Sequence, residues 1–200
     1  MNSPPSAGEL QDVLVQLRAR VGSHFEAAVE RSPDAFSCRA GCDRCCHQRF
    51  GVFEVEAAAI RCALRELAER DPATRQRVRL QADDPEHEDR CALLVDGRCA
   101  VYGARPMICR THGLPILTEA EDDEHGTRVD HCPLNFQTGA PPPASVLRLS
   151  VVNQPLALLA RLWDGGQRVA LASLARAPDR SATEPTESVE KTLDGRHRRE

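Results

Sequence analysis

Four cysteines fall within nine residues, in the stretch Cys38-Arg-Ala-Gly-Cys42-Asp-Arg-Cys45-Cys46. Thiolates are soft ligands that bind zinc, copper(I) and iron–sulfur clusters, and closely spaced thiols let one loop bind one metal. Gly41 precedes the second thiol and permits the tight turn that such a loop needs. Disulfides or buried structural thiols are the alternative, but the close spacing and the cytoplasmic features described below favour a metal site.

The adjacent pair Cys45 and Cys46 indicates how the thiols are divided. Side chains of neighbouring residues diverge, so two consecutive thiols fit poorly around one tetrahedral ion. In two-cluster ferredoxins, one short run of cysteines supplies two clusters. The pair therefore predicts that one thiol serves a different metal, or a different role, from the other.

A second group of cysteines begins with Cys91 and Cys99. They flank Asp96-Gly97, a dipeptide typical of a tight β-hairpin, and the two thiols reach one site only if the strands curve. No segment after residue 46 carries enough thiols to close a site alone, so we expect the thiols to converge. The predicted metal ligands are Cys38, Cys42, Cys45, Cys46, Cys91, Cys99, Cys109 and Cys132. Cys62 is isolated on a predicted helix and is interpreted as a packing residue outside the cluster.

Composition and charge favour a single cytoplasmic domain with terminal extensions. The 200 residues carry a formal net charge of −4, and Lys191 is the only lysine, so no basic excess attracts nucleic acid or a membrane surface. The first residues lack the parts of a signal peptide, and no apolar run is long enough to span a membrane. Nine cysteines in such a chain are expected to stay reduced. The expected partners are a metal ion or cluster and an unidentified protein.

Helical periodicity is clearest in the first half of the chain. Apolar residues at 3.6-residue spacing predict helices over residues 8–30 and 54–70. Asp71-Pro72 is expected to cap and open a third helix that runs to about Gln81. Residues 50–53 are expected to be extended.

Pro155 divides the strongly apolar segment 144–163. Because proline disfavours the helical conformation of the residue before it and removes a donor, we predict a break near Asn153 and a helix over 154–163. One further helical turn or two is expected over 169–176. The acidic segment 117–129 is expected to form an exposed hairpin or loop.

These elements predict an α+β fold that is mainly helical, in which helices flank a small irregular cysteine-rich metal-binding core with a short β-hairpin. The predicted boundaries are an N-terminal helix over 1–37, a cysteine-cluster domain over 38–176 and a disordered tail over 177–200. The tail is polar and lacks apolar periodicity, so it cannot bury enough surface to offset the entropy of ordering.

With both cysteine groups considered, the chain resembles the YkgJ-like cysteine-cluster (CxxCxxCC) family of zinc- or iron-chelating domains. The residues that carry the resemblance are Cys38, Gly41, Cys42, Cys45, Cys46, Cys91, Cys99, Tyr102, Arg105-Pro106, Cys109-Arg110, Cys132 and Asn135. The first gap, between Cys38 and Cys42, has three residues where the family name has two. The resemblance implies metal or iron–sulfur binding. A domain similar to this family looks to be part of a flagellin lysine N-methylase. An enzymatic role therefore stays open by analogy.

Polar side chains near the cysteines could add to the site. His112 and His131 would suit a mixed zinc site, but eight cysteines suffice, and both histidines are expected to hydrogen-bond sulfur or backbone, with His112 the better ligand candidate. Arg105 and Arg110 either offset the charge of the thiolates or face solvent. Tyr102 is expected to anchor the core. The sequence offers no recognisable constellation of catalytic residues.

Two functions from different classes fit this pattern. In the first, the protein holds an iron–sulfur cluster and transfers electrons or supports a modification reaction. In the second, it is a non-catalytic zinc module whose metal ties loops together, or which chelates and delivers metal. Closed four-thiolate sites are normally structural, which suits the second function.

Overall fold

The computed structural model describes residues 4–119 and 127–179, which form a mainly helical α+β fold as predicted. The helices are α1 (Ala7–Arg31), α2 (Glu54–Arg70), α3 (Pro72–Gln81), α4 (Met107–Thr111), α5 (Ser150–Asp164) and α6 (Leu171–Arg176). The strands are β1 (Gly51–Phe53), β2 (Leu94–Val95), β3 (Arg98–Cys99), β4 (Ile116–Glu119), β5 (Thr127–Asp130), β6 (Leu147–Arg148) and β7 (Arg168–Ala170). In this part of the chain, every helix is too short or too polar to cross a membrane.

Helix α1 begins at a capping box. The Ser6 hydroxyl accepts a hydrogen bond from the Glu9 N–H at 3.3 Å, and the Ser6 N–H donates to the Glu9 carboxylate at 2.7 Å. One stripe of the helix is buried, comprising Leu10, Leu14, Leu17, Val21 and Ala28. The helix extends the predicted segment 8–30 by one residue at each end.

Helices α2 and α3 have the predicted bounds. The Asp71 carboxylate accepts hydrogen bonds from the Thr74 N–H at 3.0 Å and the Thr74 hydroxyl at 2.7 Å, and Pro72 occupies the first helical position. Both features are local, so the sequence alone could place this junction.

The predicted hairpin forms between β2 and β3. Asp96 and Gly97 adopt positive φ angles of 50° and 71°, the conformation that a two-residue hairpin turn requires. The resulting register pairs Val95 with Arg98, as predicted, and Leu94 with Cys99.

Two further small sheets connect distant parts of the chain. Strands β4 and β5 pair antiparallel, which confirms the hairpin within residues 117–129, although its tip, residues 120–126, lies outside the described ranges. Strand β6 pairs parallel to β4, and β7 pairs antiparallel to β1. Neither β6 nor β7 was predicted, because strands of two or three residues carry no readable periodicity.

The predicted break near Asn153 is wrong, since α5 runs from Ser150 to Asp164 with Pro155 inside it. Proline removes the one helical hydrogen bond that would reach the Val151 carbonyl, and Val151 is exposed, so water can bind that carbonyl. The buried face continues through the proline and holds the helix to the core; it comprises Val152, Leu156, Leu159 and Ala160.

Two hydrophobic cores meet near the segment that joins β1 to α2. The first packs α2 and α3 against α6 and the hairpin, and includes Val52, Ile60, Leu64, Val78, Leu93 and Leu171. The second packs α1 against α4 and α5, and includes Leu14, Val55, Met107, Leu114 and Leu159. Val52 and Val55 therefore belong to different cores, although they are three positions apart.

The segment predicted as one or two helical turns, residues 169–176, contains β7 followed by α6. Beyond α6 the chain stays bound to α3 through Arg75. The Arg75 guanidinium donates to the Ala175 carbonyl at 2.7 Å, to the Ala177 carbonyl at 2.6 Å and to the Asp179 carboxylate at 2.7 Å. The first three residues of the predicted tail 177–200 thus contact the domain, and the rest lie outside the described ranges.

A pair of truncations tests these contacts. Removing residues 177–200 is expected to lower the free energy of unfolding by about 3 kcal/mol, because the buried Arg75 guanidinium loses its carboxylate partner. Removing only 180–200 is expected to leave the unfolding midpoint and the metal content unchanged. Denaturant unfolding of both variants checks the prediction, and equal midpoints would contradict it.

Candidate metal centre

The cysteine loop forms a tight turn followed by a short 3-10 segment, Arg44–Cys46. Gly41 has a φ of +89°, which confirms the predicted need for glycine before Cys42. The Cys46 carbonyl accepts a hydrogen bond from the Cys91 N–H at 2.7 Å. This bond joins the first cysteine group directly to the second, 45 positions along the chain.

One set of thiols gathers beside the hairpin. Cys91 is buried in the first hydrophobic core, and Cys46 and Cys99 pack against that core. Burial, with smaller contributions from the nearby Cys99 and Cys45 thiols, raises the pKa of Cys91 to about 11. Burial raises the pKa of Cys109 to about 12, with contributions from the Cys91, Cys99 and Cys45 thiols. These mutual effects indicate that the thiols of Cys45, Cys91, Cys99 and Cys109 lie near one another.

A second set gathers around Asn135. Its amide nitrogen lies 3.4 Å from the Cys38 sulfur, and its backbone N–H donates to the Cys132 carbonyl at 2.9 Å. Burial raises the pKa of Cys38, a hydrogen bond from Asn135 lowers it, and the nearby Cys132, Cys42 and Cys45 thiols raise it. The loop and the Cys132 segment therefore meet at one place.

Cys45 and Cys46 stand between the two sets and differ in their acidity. The Cys46 thiol lowers the pKa of Cys45, against the effect of burial, and His112 and Arg105 lower it further. The pKa of Cys46 is raised by the hydrogen bond with Cys45, by burial and by the neighbouring Cys91 and Cys99 thiols. The thiolate form is the metal ligand and the nucleophile, and the hydrogen bond between the two thiols favours ionisation of one of them over ionisation of both.

The thiols are neighbours rather than finished metal ligands. All nine cysteines are free thiols. Within residues 4–119 and 127–179, no three His, Cys, Asp or Glu side chains form a group that could hold a metal ion as they stand. Rotation of cysteine side chains between staggered positions moves the sulfur without moving the backbone. Thiol sulfurs are soft donors of the kind that a thiophilic metal takes.

Asn135 holds the Cys38 loop in place. The side chain is only 1% exposed, its Oδ1 accepts the Ser37 N–H at 2.8 Å, and its Nδ2 donates to the Gly113 carbonyl at 2.8 Å. One buried amide thus links three separate segments and donates toward the Cys38 sulfur. The sequence marked Asn135 only as part of a family resemblance; its position three residues after Cys132 is the one local signal of its role.

Gly113 lies directly against the Cys38 thiol and leaves room for its sulfur. A Cβ atom at this position would lie 2.6 Å from the Cys38 sulfur, and the φ angle of +94° is unfavourable for any other residue. The glycine therefore serves both the backbone turn after α4 and the space that the Cys38 thiol occupies.

Substituting this glycine is expected to damage the centre. Gly113→Ala should lower the free energy of unfolding by about 1–3 kcal/mol through backbone strain, and should reduce metal content because the Cys38 sulfur must move. Gly103→Ala is the matched control, since a Cβ there meets nothing within 4 Å. Unfolding midpoint and metal per protein are the measurements, and equal behaviour of the two variants would refute the role of Gly113.

Glu56 is a buried carboxylate that fixes the start of α4. It is 3% exposed and accepts the Met107 N–H at 2.6 Å, so it caps the short helix that carries Cys109. Burial raises the pKa of Glu56, while the Met107 N–H and the nearby Arg18 guanidinium lower it. Arg18 is itself 8% exposed, and two of its N–H groups have no partner within the described residues. Sequence reasoning missed both residues, because each occupies an ordinary position on an amphipathic helix.

The cap at α4 can be tested with two substitutions. Glu56→Ala is expected to lower the free energy of unfolding by about 2–4 kcal/mol, since it leaves the Met107 N–H and Arg18 without an acceptor and a counter-charge. Glu56→Gln keeps an acceptor for the Met107 N–H and should retain more of the bound metal than Glu56→Ala. Glu66→Ala, at an exposed position of α2, is the control. Metal content that is the same in all three variants would disprove the link to Cys109.

His112 and His131 contact the backbone, whereas Arg105 lies near the thiols. His112 Nδ1 bonds the Ile108 carbonyl at 2.7 Å and His131 Nδ1 bonds the Cys132 carbonyl at 3.1 Å, which agrees with the expected backbone bonding. In each ring Nε2 is left for another role. Arg105 lowers the pKa of Cys45, Cys99 and Cys109, although burial, hydrogen bonds or neighbouring thiols have larger effects on each of them. Its guanidinium therefore faces the thiols.

Arg110, Tyr102 and Cys62 differ from one another in their relation to the site. Arg110 donates to the Arg105 carbonyl at 2.9 Å and to the Gly103 carbonyl, and so braces the loop before α4. The interpretation of Tyr102 as a core anchor is wrong: the side chain is 62% exposed, with the Arg105 guanidinium 3.5 Å above its ring. Cys62 is exposed on α2, beside Arg65, so it is a surface residue and does not pack in a core.

The structure is that of a small, mainly helical α+β protein in which several cysteines lie at the first hydrophobic core. A family model described as "CxxCxxCC: Putative zinc- or iron-chelating domain" matches residues 37–133. Residues 37–133 therefore match the CxxCxxCC domain family that the resemblance indicated. All nine cysteines lie inside the matched segment, whereas Asn135, α1 and α5 lie outside it. The domain is a zinc- or iron-binding one. No curated protein and no solved structure matches the chain.

Proposed function

We propose that this protein holds an iron–sulfur cluster and acts in electron transfer or in support of a modification reaction. What supports the proposal is that thiols from five chain segments lie near enough to influence one another's pKa, with the vicinal pair between two sets. When bound, such a cluster supplies one-electron redox chemistry. The residues of the chain position it, balance its charge and limit its contact with water.

We assign the eight cysteines to two groups of four. The hairpin group consists of Cys46, Cys91, Cys99 and Cys109, of which the first three lie at the first core. The loop group consists of Cys38, Cys42, Cys45 and Cys132, and Asn135 contacts Cys38 and Cys132. Cys45 and Cys46 then belong to different groups, which is expected because the side chains of consecutive residues point in different directions. This assignment also gives each group the four thiolates that iron–sulfur clusters and zinc ions take.

Charge and hydrogen bonding near the thiols support this proposal. Arg105 lies close enough to lower the pKa of three cysteines, so it can offset part of the negative charge of bound thiolates. The Asn135 amide donates toward the Cys38 sulfur, and hydrogen bonds to cluster sulfurs raise a reduction potential. The two groups differ in exposure, because Cys91 is buried and Cys42 is exposed. Two centres in such different surroundings would have different potentials.

A zinc module is the second candidate, and the hairpin group favours it. Cys99 lies on β3 beside a two-residue turn, and Cys46 and Cys91 are joined by a backbone hydrogen bond. Four thiols held on a hairpin and a loop, one of them buried, suit a closed structural site. In that case the metal would tie the hairpin to the cysteine loop and would take no part in a reaction.

Purification without oxygen separates the two candidates. The iron–sulfur proposal expects a brown protein with visible absorption, and iron and acid-labile sulfide in comparable amounts. Zinc is colourless, so a colourless protein with zinc and no sulfide would overturn the proposal in favour of the zinc module. Iron without sulfide would overturn it as well, since it would indicate thiolate-bound iron ions.

A further inference from the structure

Two of the chain segments that carry thiols have a charge opposite to that of the rest of the protein. Residues 38–50 and 97–112 contain six arginines and a single acid, Asp43. Since the whole chain carries −4 and these two segments carry +5, the rest carries −9 with histidines neutral. An acidic protein thus concentrates positive charge around its cysteines.

Three of these arginines are free to meet another molecule. Arg39, Arg44 and Arg98 are exposed, and within the described residues their side chains donate no hydrogen bond and form no ion pair. The acids closest in sequence are occupied: Asp43 lies 3.4 Å from the His47 ring, and Asp96 accepts two hydrogen bonds from Arg77.

The two arginine-bearing loops lie side by side. A Cβ atom at Gly97 would lie 3.9 Å from the Asp43 carboxylate, which brings the hairpin turn against the cysteine loop. Arg44 and Arg98 directly follow these two residues, so both belong to one surface. Arg49 lies at its edge, because its guanidinium donates to the His87 carbonyl in the acidic loop 83–90.

An exposed aromatic side chain extends this surface past the thiols. Tyr102 is 62% exposed under the Arg105 guanidinium, and Ile108 is 42% exposed on α4. Tyrosine and arginine are among the residue types enriched where proteins bind each other. A core role does not explain either exposed side chain.

We propose that Arg39, Arg44, Arg98, Arg105, Tyr102 and Ile108 form a docking surface, here named the arginine face, for an acidic surface of a protein partner. Complementary charge would steer the partner to the exposed side of the cysteine cluster, where Cys42 is accessible. Tyr102 and Ile108 would supply the apolar contact. The inference goes beyond the proposed function and holds for either metal.

Neutralisation of thiolates does not account for all of this charge. Arg105 acts on the thiols, as its effect on three cysteine pKa values shows. The exposed Arg39, Arg44 and Arg98 side chains are surrounded by solvent, where they stabilise bound thiolates only weakly. A nucleic acid fits less well than a protein, because an extended polyanion would also meet the acidic remainder of the chain.

The test uses the full-length protein with its metal and a fluorescein-labelled octaglutamate peptide as the probe. Fluorescence anisotropy at low salt should show saturable binding that falls as salt is added. The variant R39E/R44E/R98E should bind the probe at least about tenfold more weakly, since three favourable charge contacts become repulsive. The control R20E/R70E/R161E makes the same change in net charge at exposed arginines elsewhere, and should change affinity less than about threefold.

Each outcome decides the proposal. Selective loss in R39E/R44E/R98E, with circular dichroism and metal content unchanged, supports the arginine face. Equal loss in both triple variants shows that only net charge matters and overturns it. Tighter binding of a single-stranded DNA of equal charge also overturns it, in favour of a nucleic-acid surface. R39Q/R44Q/R98Q repeats the test if the charge reversal disturbs folding. Metal analysis of the same samples judges the proposed function separately, since the binding test does not depend on metal identity.

Discussion

Cys99→Ala and Cys132→Ala should each release about half of the bound metal, and the double variant nearly all of it. The reason is that Cys99 belongs to the hairpin group and Cys132 to the loop group, and a four-thiolate site does not survive the loss of one ligand. Cys62→Ala is the matched control, because this exposed thiol lies outside both groups and should leave metal content unchanged. Metal and sulfide per protein, measured without oxygen, give the result.

The vicinal pair gives this prediction a second readout. Cys46→Ala should behave like Cys99→Ala, Cys45→Ala should behave like Cys132→Ala, and the double variant should lose more metal than either single variant. Complete and equal release from both single variants would show that the two thiols serve one site. Release from only one of them would make the other a redox or neighbouring thiol rather than a ligand.

The isolated family segment, residues 37–133, should fail to fold and should bind metal poorly. The second core takes most of its buried surface from α1 and α5, which lie outside that segment. Without them, Val55, Met107 and Leu114 become exposed, and each fully buried side chain of this kind contributes about 1.5–3 kcal/mol. Cys38 also loses Asn135, which lies two residues beyond the segment.

A longer fragment, residues 4–179, is the control for this experiment. It keeps both cores and the Arg75 contacts, so it should unfold cooperatively with the midpoint of the full chain. Circular dichroism during denaturant titration, together with metal content, distinguishes the two fragments. A cooperative transition and full metal content in 37–133 would mean that the cysteines and the first core suffice.

Local signals explain why much of this fold could be predicted from the sequence. The bounds of α2 and α3 follow from a proline, an aspartate cap and regular apolar spacing. The hairpin register follows from Asp96-Gly97, since a two-residue turn leaves only one pairing. Convergence of the cysteines was predicted from their number per segment and stays a prediction, because no three His, Cys, Asp or Glu side chains in the described ranges form a group that could hold a metal ion.

Features that depend on distant packing were not predictable in this way. Pro155 stays within α5 because the buried face of that helix outweighs one lost hydrogen bond. The Glu56 cap on α4 joins residues 51 positions apart, and no local pattern identifies such a partner. The exposure of Tyr102 follows from the path of the chain around Arg105, so composition alone favoured a core position.

The contact between Cys38 and Asn135, 97 positions apart, has a consequence for biosynthesis. At a translation rate of about 5–20 residues per second, the ribosome needs roughly 5–20 s to add the last thiol of the loop group after the first. During that interval the other three thiols of the loop group are exposed to whatever metal the cell offers. Correct metal selection is therefore expected to occur after Cys132 emerges, which would favour delivery of the metal or cluster after synthesis over capture during it.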